Sequence, residues 1–237
     1  MINSGVVISQ LFELQEQSAA RLVFDHTWAM DAGTEITPNL LQAMVHSGAY
    51  LSGAFIGNEC VGAAFAFPAT TGGLHLHSHM TAVLDKYRDR GVGYLLKIDQ
   101  WHWAKKNNYK EITWTFDPLV RRNAKLNLLK LGTDIASYHP NFYGDMPDAL
   151  NAGDESDRVL ASWKVIGDKP VSRSEIVEPL ANDILIAIPE DIVAIREIDL
   201  AANLKWRHKV RDQFVDALAK GGKVIGFSQN SEYVVRT

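Results

Sequence analysis

The stretch Val83-Leu84-Asp85-Lys86-Tyr87-Arg88-Asp89-Arg90-Gly91-Val92-Gly93-Tyr94 constrains the fold more than any other part of the 237-residue chain. The run Leu74 to Leu84 that leads into it reads as a strand. The apolar stripe Tyr94, Leu95, Ile98, Trp101 and His102 behind it reads as a helix carried to Asn107-Asn108. A strand that turns on glycine into a helix aims successive backbone N–H groups at one spot, and the helix dipole adds positive potential there. Gly91 and Gly93 remove side chains so that a bulky pyrophosphate can approach the main chain, and Arg88 or Arg90 can add a charge-assisted contact. Phosphate binding is the expectation. The dinucleotide fingerprint would need glycine or alanine where Leu96 stands, and the Gly-Lys-Ser/Thr of a mononucleotide loop is missing, so neither NAD nor ATP is favoured.

Around this turn the chain reads as alternating short elements. Gly5 to Ser9 is a β-branched run, followed at helical spacing by Leu11, Leu14, Ser18 and Leu22, with Ala19 and Val23 flanking. Thr37-Pro38 offers an N-cap hydroxyl and a proline at the first helical position, ahead of the apolar face Leu40, Leu41, Met44 and Val45. Tyr50 to Ile56 and Cys60 to Phe67 are strand-like and meet at Gly57-Asn58-Glu59, a hairpin turn. Beyond the central helix, Glu111 to Phe116 is a strand ending at Asp117-Pro118. Ala124 to Leu131 is a helix stopped by Gly132, and Ile135 to Tyr138 and Arg158 to Val165 are further strands. The order β-α-α-β-β-β-α-β-α-β-β predicts an α+β fold with a mixed sheet.

Pro170, Pro179 and Pro189 mark a linker zone, which sets an expected boundary near residue 168 between residues 1–168 and a smaller α+β extension, 169–237. The extension reads as a strand, one or two helices and two strands, an order that echoes the start of the chain as an unrelated appendage would equally allow. Twenty-four Lys and Arg against 28 Asp and Glu leave a net charge of −4 and no basic field to hold a nucleic acid. No apolar run approaches the ~20 residues that cross a bilayer. The start of the chain lacks the basic-then-apolar layout of a secretory signal and one cysteine, Cys60, can form no internal disulfide, so the expected location is cytoplasmic.

With Arg88, Gly91 and Gly93 in the places of Gln/Arg-x-x-Gly-x-Gly/Ala, the turn and its element order resemble the GNAT superfamily of acetyl-CoA-dependent N-acyltransferases over residues 5 to 166. The likeness is to predicted members of undefined substrate, through Phe116-Asp117-Pro118-Leu119, Arg122-Asn123-Ala124, Leu131-Gly132 and Asn141-Phe142-Tyr143-Gly144. The resemblance implies a sheet whose fourth and fifth strands splay apart around the thioester. Main-chain groups of Thr81 and Val83 would hold the pantetheine arm. N–H groups of Arg88, Asp89, Arg90, Gly91, Val92, Gly93 and Tyr94 would hold the pyrophosphate, and an N–H at Val83 or Leu84 would hold the oxyanion. Asn123 and Asn127, four apart on one helix face, are further candidate ligands of the pantetheine. It also implies an amine acceptor entering from the opposite side.

Direct attack of an amine on a thioester needs a proton acceptor for the amine and a proton for the leaving thiolate. Asp117 is a candidate base, although an Asp-Pro pair more often caps its own turn; His79 is another. The resemblance places a tyrosine acid where Leu128 stands, which leaves Tyr138 and Tyr143 as substitutes. A non-catalytic acyl-CoA-binding module is the alternative reading. His75, His77 and His79 alternate on one strand and face one side, a layout some zinc hydrolases share. No carboxylate stands near them in sequence, and no metal is expected. Arg121-Arg122 can meet a phosphate or solvate a helix face, and Trp101-His102-Trp103 packs on the sheet. Cys60 reads as a buried small hydrophobe, and Asp145 to Asp157 as a solvated loop that could cover an acceptor. Trp206 and Phe214 supply either a self-association surface, as in a homodimer, or the core of the extension.

Overall fold

A computed structural model describes residues 5–28, 36–144, 146, 154–171 and 176–237. The chain divides into two compact units, one of residues 1–114 and 164–170, the other of 115–163 and 171–237. The linear boundary near residue 168 therefore differs from the grouping by compactness, in which 115–163 joins the extension. The physical tie is a set of ion pairs from Asp117, Asp154 and Asp157 to arginines beyond residue 190. Most of the loop expected over 145–157 lies outside the described residues. Among the described residues, no helix is long and apolar enough to cross a membrane.

In the first unit, β1 (Val6–Gln10), β2 (Tyr50–Ile56), β3 (Glu59–Ala69) and β4 (His75–Val83) form an antiparallel run in sequence order. β5 (Glu111–Phe116) then adds to β4 in parallel and makes the sheet mixed. The Gly57-Asn58 turn closes the β2–β3 hairpin as expected, with Gly57 at φ 59°. α1 (Leu14–Thr27) begins at a reciprocal capping box between Glu13 and Glu16. It buries Gln17, Ala20, Val23 and Phe24, and leaves Leu14 and Leu22 exposed. Of the stripe expected to face inward, Leu11 and the flanking Val23 are buried while Leu14 and Leu22 are exposed, and Ala20 and Phe24 complete the buried face. α2 (Pro38–His46) has Thr37 accepting from the Leu40 N–H and Pro38 at its first position, as expected. α3 (Val92–Lys106) buries Val92, Leu96, Lys97, Gln100, Trp101 and Ala104. Trp101 is fully buried and donates to the Lys164 carbonyl at 3.1 Å, while Trp103 stacks on Tyr109, so this aromatic pair is packing.

In the second unit, α4 (Arg121–Ala124) continues into a π-helical stretch over 125–130, where Leu131 N–H reaches back five residues to Leu126 O. Gly132 at φ 66° ends it as expected. β6 (Asp134–His139) and β7 (Arg158–Lys164) pair antiparallel. β8 (Ile184–Ala187), β9 (Lys223–Phe227) and β10 (Glu232–Arg236) form a separate sheet in the order β8-β10-β9, with α5 (Ile192–Ile198) and α6 (Leu200–Ala219) between β8 and β9 in the chain. β8 pairs with β10, whereas β1 pairs with β2, so a similar element order closes differently at the two ends of the sequence. Phe214 is fully buried against Tyr138 and Tyr233, which makes it core.

Candidate functional site

β4 carries the site because it is irregular in two ways. Its register with β3 runs Phe65↔Met80 and then Ala66↔Ser78, so His79 is an extra residue, a β-bulge. Its parallel pairing with β5 consists of Leu76↔Ile112 and His77↔Thr113, after which the two strands part. Among the described residues, the edge of β4 from the bulge to Val83 has no partner in the Glu111 to Trp114 part of β5, in keeping with the splay expected from the resemblance.

The strand leaves the sheet at Leu84, whose N–H donates to Val61 O at 2.9 Å. That N–H is spent, so Leu84 is withdrawn as an oxyanion donor and Val83 stays. A 3-10 turn over 85–87 follows, with Tyr87 and Arg88 N–H bonded to Leu84 and Asp85 carbonyls. Asp89 and Gly91 then take positive φ, 60° and 83°, and α3 starts at Val92 with no side chain capping it. The first-turn amides of Val92, Gly93 and Tyr94 have no carbonyl one turn earlier to bond and point out of the helix end. A Cβ at Gly91 would meet nothing within 4 Å, and one at Gly93 only Val83 Cγ2 at 3.8 Å. Open space, orphan donors and a 15-residue helix behind them suit a phosphate. Arg88 pairs with Asp85 at 2.6 Å, and the Arg90 guanidinium lies over the Tyr87 ring, 5.5 Å from its centroid. Tyr87 in turn donates to Glu59 at 2.7 Å, which ties the turn to β3.

On the other side of β4, His77 and His79 stand among Phe65 and Phe67, with ring centroids 5.4 to 6.4 Å apart. His77 Nδ1 is 3.1 Å from Thr113 Oγ1. Burial, then the neighbouring imidazoles of His79 and His75 and the Lys97 ammonium, push the His77 pKa down to about 4. His79 is still reached by solvent, and the desolvation imposed by its neighbours lowers its pKa too. Both rings are therefore held neutral near pH 7, where a neutral imidazole can accept a proton. His75 Nδ1 bonds the Gly73 carbonyl at 2.8 Å. Among the described residues no three His, Cys, Asp or Glu side chains are grouped to hold a metal. Cys60 bonds the Gly62 carbonyl and burial raises its pKa, which leaves it a thiol and a packing residue.

The remaining candidates lie in the second unit, and the structure corrects two of them. Asp117 accepts from Leu119 N–H at 2.9 Å, the expected turn cap, and its carboxylate takes two bonds from Arg207 at 2.7 and 2.9 Å. Burial raises its pKa, but Arg207 outweighs burial and the net shift is downward. A carboxylate held ionised by a buried arginine is a poor proton acceptor, so Asp117 is structural rather than a base. Tyr138 donates to Asp157 and stacks on Phe214, and burial first, then Asp157, raise its pKa far above the phenol range. It is not an available acid. Tyr143 differs: its hydroxyl is exposed, pairs with Thr115 Oγ1 of β5 at 2.9 Å, and its ring carries Arg158 5.3 Å from the centroid. Asn127 lies in the π-helical stretch and is buried, and Asn123 in the turn before it is half-buried. Leu128, where the resemblance places a tyrosine, is buried. Arg121 and Arg122 line a 140 Å³ pocket with Glu190 and Asp191, whose carboxylates offset the arginines.

Sequence reading missed Lys97. It sits in the α3 stripe of Leu96, Gln100, Trp101 and Ala104, so the helical period already placed it inward. Also missed were Arg196, Arg207 and Arg211, of which Arg207 falls on the buried stripe Asn203, Arg207, Val210, Phe214 of α6.

No protein-family model matches the sequence, and no curated protein matches it. Solved structures do. The ribosomal-protein-S18-alanine N-acetyltransferase of Escherichia coli superposes with a TM-score of 0.55 at 13% identity, over 69% of this chain and 96% of its own. A GNAT family acetyltransferase of Elizabethkingia anophelis, solved with acetyl-CoA bound, gives 0.52 at 18% identity over 68% and 99%. Arabidopsis thaliana Naa50, in complex with the bisubstrate analogue CoA-Ac-MVNAL, gives 0.53 at 18% over 67% and 97%. Each neighbour is covered almost end to end by about two thirds of this chain. The bulged and splayed β4, the glycine turn and these superpositions agree that the chain has the GNAT acetyltransferase fold.

Proposed function

We propose that the protein is an N-acetyltransferase that moves an acetyl group from acetyl-CoA to a primary amine by direct attack on the thioester. The observation that carries this reading is the open glycine turn at the end of β4, with its orphan α3 amides, next to a strand edge that β5 has left. Amides of Asp89 to Tyr94 hold the pyrophosphate, and the free edge at Thr81 and Val83 holds the pantetheine arm. Acetyl-CoA supplies an activated acyl carbon; the protein orients it and manages two protons. His79, at the bulge and open to solvent, accepts the proton of the acceptor amine. The acceptor is an amine-bearing small molecule or peptide, and the expected location remains cytoplasmic.

Calorimetric titration with acetyl-CoA, CoA and NAD tests the reading, alongside a Gly91→Trp, Gly93→Trp variant that fills the open space above the turn. Binding of the CoA compounds alone, lost in the variant, supports it; no CoA binding by folded wild type overturns it. The buried Leu128 favours a second reading, a non-catalytic acyl-CoA-binding module. CoA affinity without turnover over a broad amine panel would select that one.

A further inference from the structure

On the α3 side of the β4–β5 parting, the first unit buries a cation with no anion. The Lys97 Nζ donates to Ser78 Oγ at 2.6 Å and to Gln100 Oε1 at 3.3 Å, and lies 3.8 Å from the centroid of the Trp114 ring. Ser78 and Trp114 are the residues that directly follow the last paired positions, His77 and Thr113, so the amine sits where the strands begin to separate. Lys97 is 5% exposed and Gln100 fully buried. Two further buried polar atoms have no hydrogen-bond partner among the described residues, Gln100 Nε2 and Thr81 Oγ1.

Thr81 faces the same helix as Ser78 because of the bulge. Gly62 pairs with Val83, and a Cβ on Gly62 would touch Val92 and Leu96 of α3 at 3.1 and 3.2 Å, so Val83 and its strand-mate Thr81 face α3. Ser78 faces α3 too, through its bond to Lys97. Without the extra residue at His79 the two could not share a face. The bulge thus gathers an ammonium, an amide N–H and two hydroxyls against one helix, and no carboxylate among the described residues pairs with the lysine. Ser78 accepts from Lys97 and keeps its own hydrogen to donate. A buried, unneutralised donor set of this kind is costly unless something arrives that accepts protons or negative charge.

We propose that Lys97, passing its proton on through the Ser78 hydroxyl, neutralises the thiolate that leaves when the acyl group is transferred. The inference rests on the acyltransferase reading above, and it names a donor where Leu128 offers none. As the amine nitrogen bonds the acyl carbon, the carbon–sulfur bond breaks and its electron pair goes to sulfur. Ser78 gives sulfur a proton and takes one from Lys97; the proton the acceptor amine loses passes to His79 and on to solvent, and Lys97 regains one from solvent once the CoA thiol has left. Burial moves the Lys97 pKa down to about 7, so the group gives up and regains a proton readily near neutral pH. The other titratable groups near it are His77 on the opposite face of β4, with His75 and His79, and Asp99 of α3, which is bonded to Tyr50 and Ser52.

The reverse of the step is open to measurement without knowing the acceptor. Bound CoA thiol should hand its proton to Lys97, so that the ultraviolet absorbance of thiolate appears in the wild-type complex at a pH where free CoA is a thiol. An ionisation constant raised about tenfold is expected from an adjacent ammonium. Lys97→Met should return the bound thiol to the behaviour of free CoA while desulfo-CoA still binds with wild-type affinity. Ser78→Ala is a second variant, conservative in size, in which the thiolate signal should fall. An unshifted thiol in the wild-type complex, or a full shift in Lys97→Met, overturns the inference and leaves the acyltransferase reading standing. Failure of the wild type to bind CoA at all overturns both.

Discussion

His79 and His77 are neighbours on one strand with different duties. His79, open to solvent, is the proposed proton acceptor, and His79→Ala should cut kcat/KM about 100-fold or more with any amine that the enzyme accepts, with the loss greatest where the imidazole is neutral and the acid limb of the pH profile flattened. An unchanged profile would remove His79 from the mechanism. His77 is a stability element. With a folded pKa of about 4 against an ordinary value near 6.5, the unfolded chain binds more protons across that window. Stability therefore rises with pH from about 4 to about 6.5 and is lost on acidification through it. Lys97 acts in the same sense at higher pH. Depressed to about 7, it takes up a proton on unfolding, so its contribution to stability rises from about pH 7 toward the ordinary lysine range. Urea unfolding against pH should show both slopes. Lys97→Met should flatten the alkaline one and raise stability by about 1–3 kcal/mol at neutral pH, as replacement of an unpaired buried charge does.

The glycine turn and the bulge act as elements, through backbone geometry rather than side-chain chemistry. Gly91→Ala adds a Cβ into open space but at φ 83°, so it should cost about 1 kcal/mol in thermal or urea unfolding and weaken CoA binding only in part. The double tryptophan variant fills the space itself and should abolish CoA binding while the far-ultraviolet circular dichroism stays native. If the alanine variant bound CoA no better than the double tryptophan, strain rather than occupancy would be the determinant. Ser78, Thr81 and His79 depend on the bulge in the same way. A deletion of His79 would restore plain pairing with β3, turn Thr81 away from α3, and should cost more than His79→Ala in both stability and CoA affinity.

At the scale of the molecule, the second unit is joined by charge as much as by apolar packing. Arg207 is 1% exposed and bridges Asp117 and Asp154, Arg196 reaches the same two carboxylates, and Arg211 pairs with Asp157 and Glu155. Arg207→Ala would leave two buried carboxylates with Arg196 alone to share between them and should destabilise by about 3–5 kcal/mol, measured by urea unfolding. Arg207→Met should cost about as much, since it too removes the charge. A chain ended after residue 168 loses every one of these arginines and also Tyr233, whose hydroxyl donates to the Pro118 carbonyl at 2.7 Å. It should be insoluble or fail to give a cooperative transition. A soluble, cooperatively folding 1–168 fragment would show that the extension is dispensable to the fold.

What the sequence by itself determined is local: the order of strands and helices, the hairpin at Gly57, the cap at Thr37-Pro38, the stop at Gly132 and the glycine turn. Each is set by residues a few positions apart, through φ/ψ preference, capping and hydrophobic period, and each stands in the structure where those rules put it. The open, amide-rich geometry of the turn was legible for the same reason, because backbone amides at a helix end need no distant partner. Side-chain roles were decided only by tertiary structure. Asp117 looked like a base at a strand end until Arg207, 90 residues away, proved to hold it ionised. Tyr138 lost its freedom to Asp157, and on α1 Phe24 is buried where Leu14 and Leu22 are exposed. Lys97 lies on the inward stripe of α3, but that its amine meets Ser78 and Trp114 where β4 and β5 part was decided by the tertiary structure. A proton's affinity for a group depends on what surrounds it in space, and that is fixed by contacts between residues that the linear sequence keeps far apart.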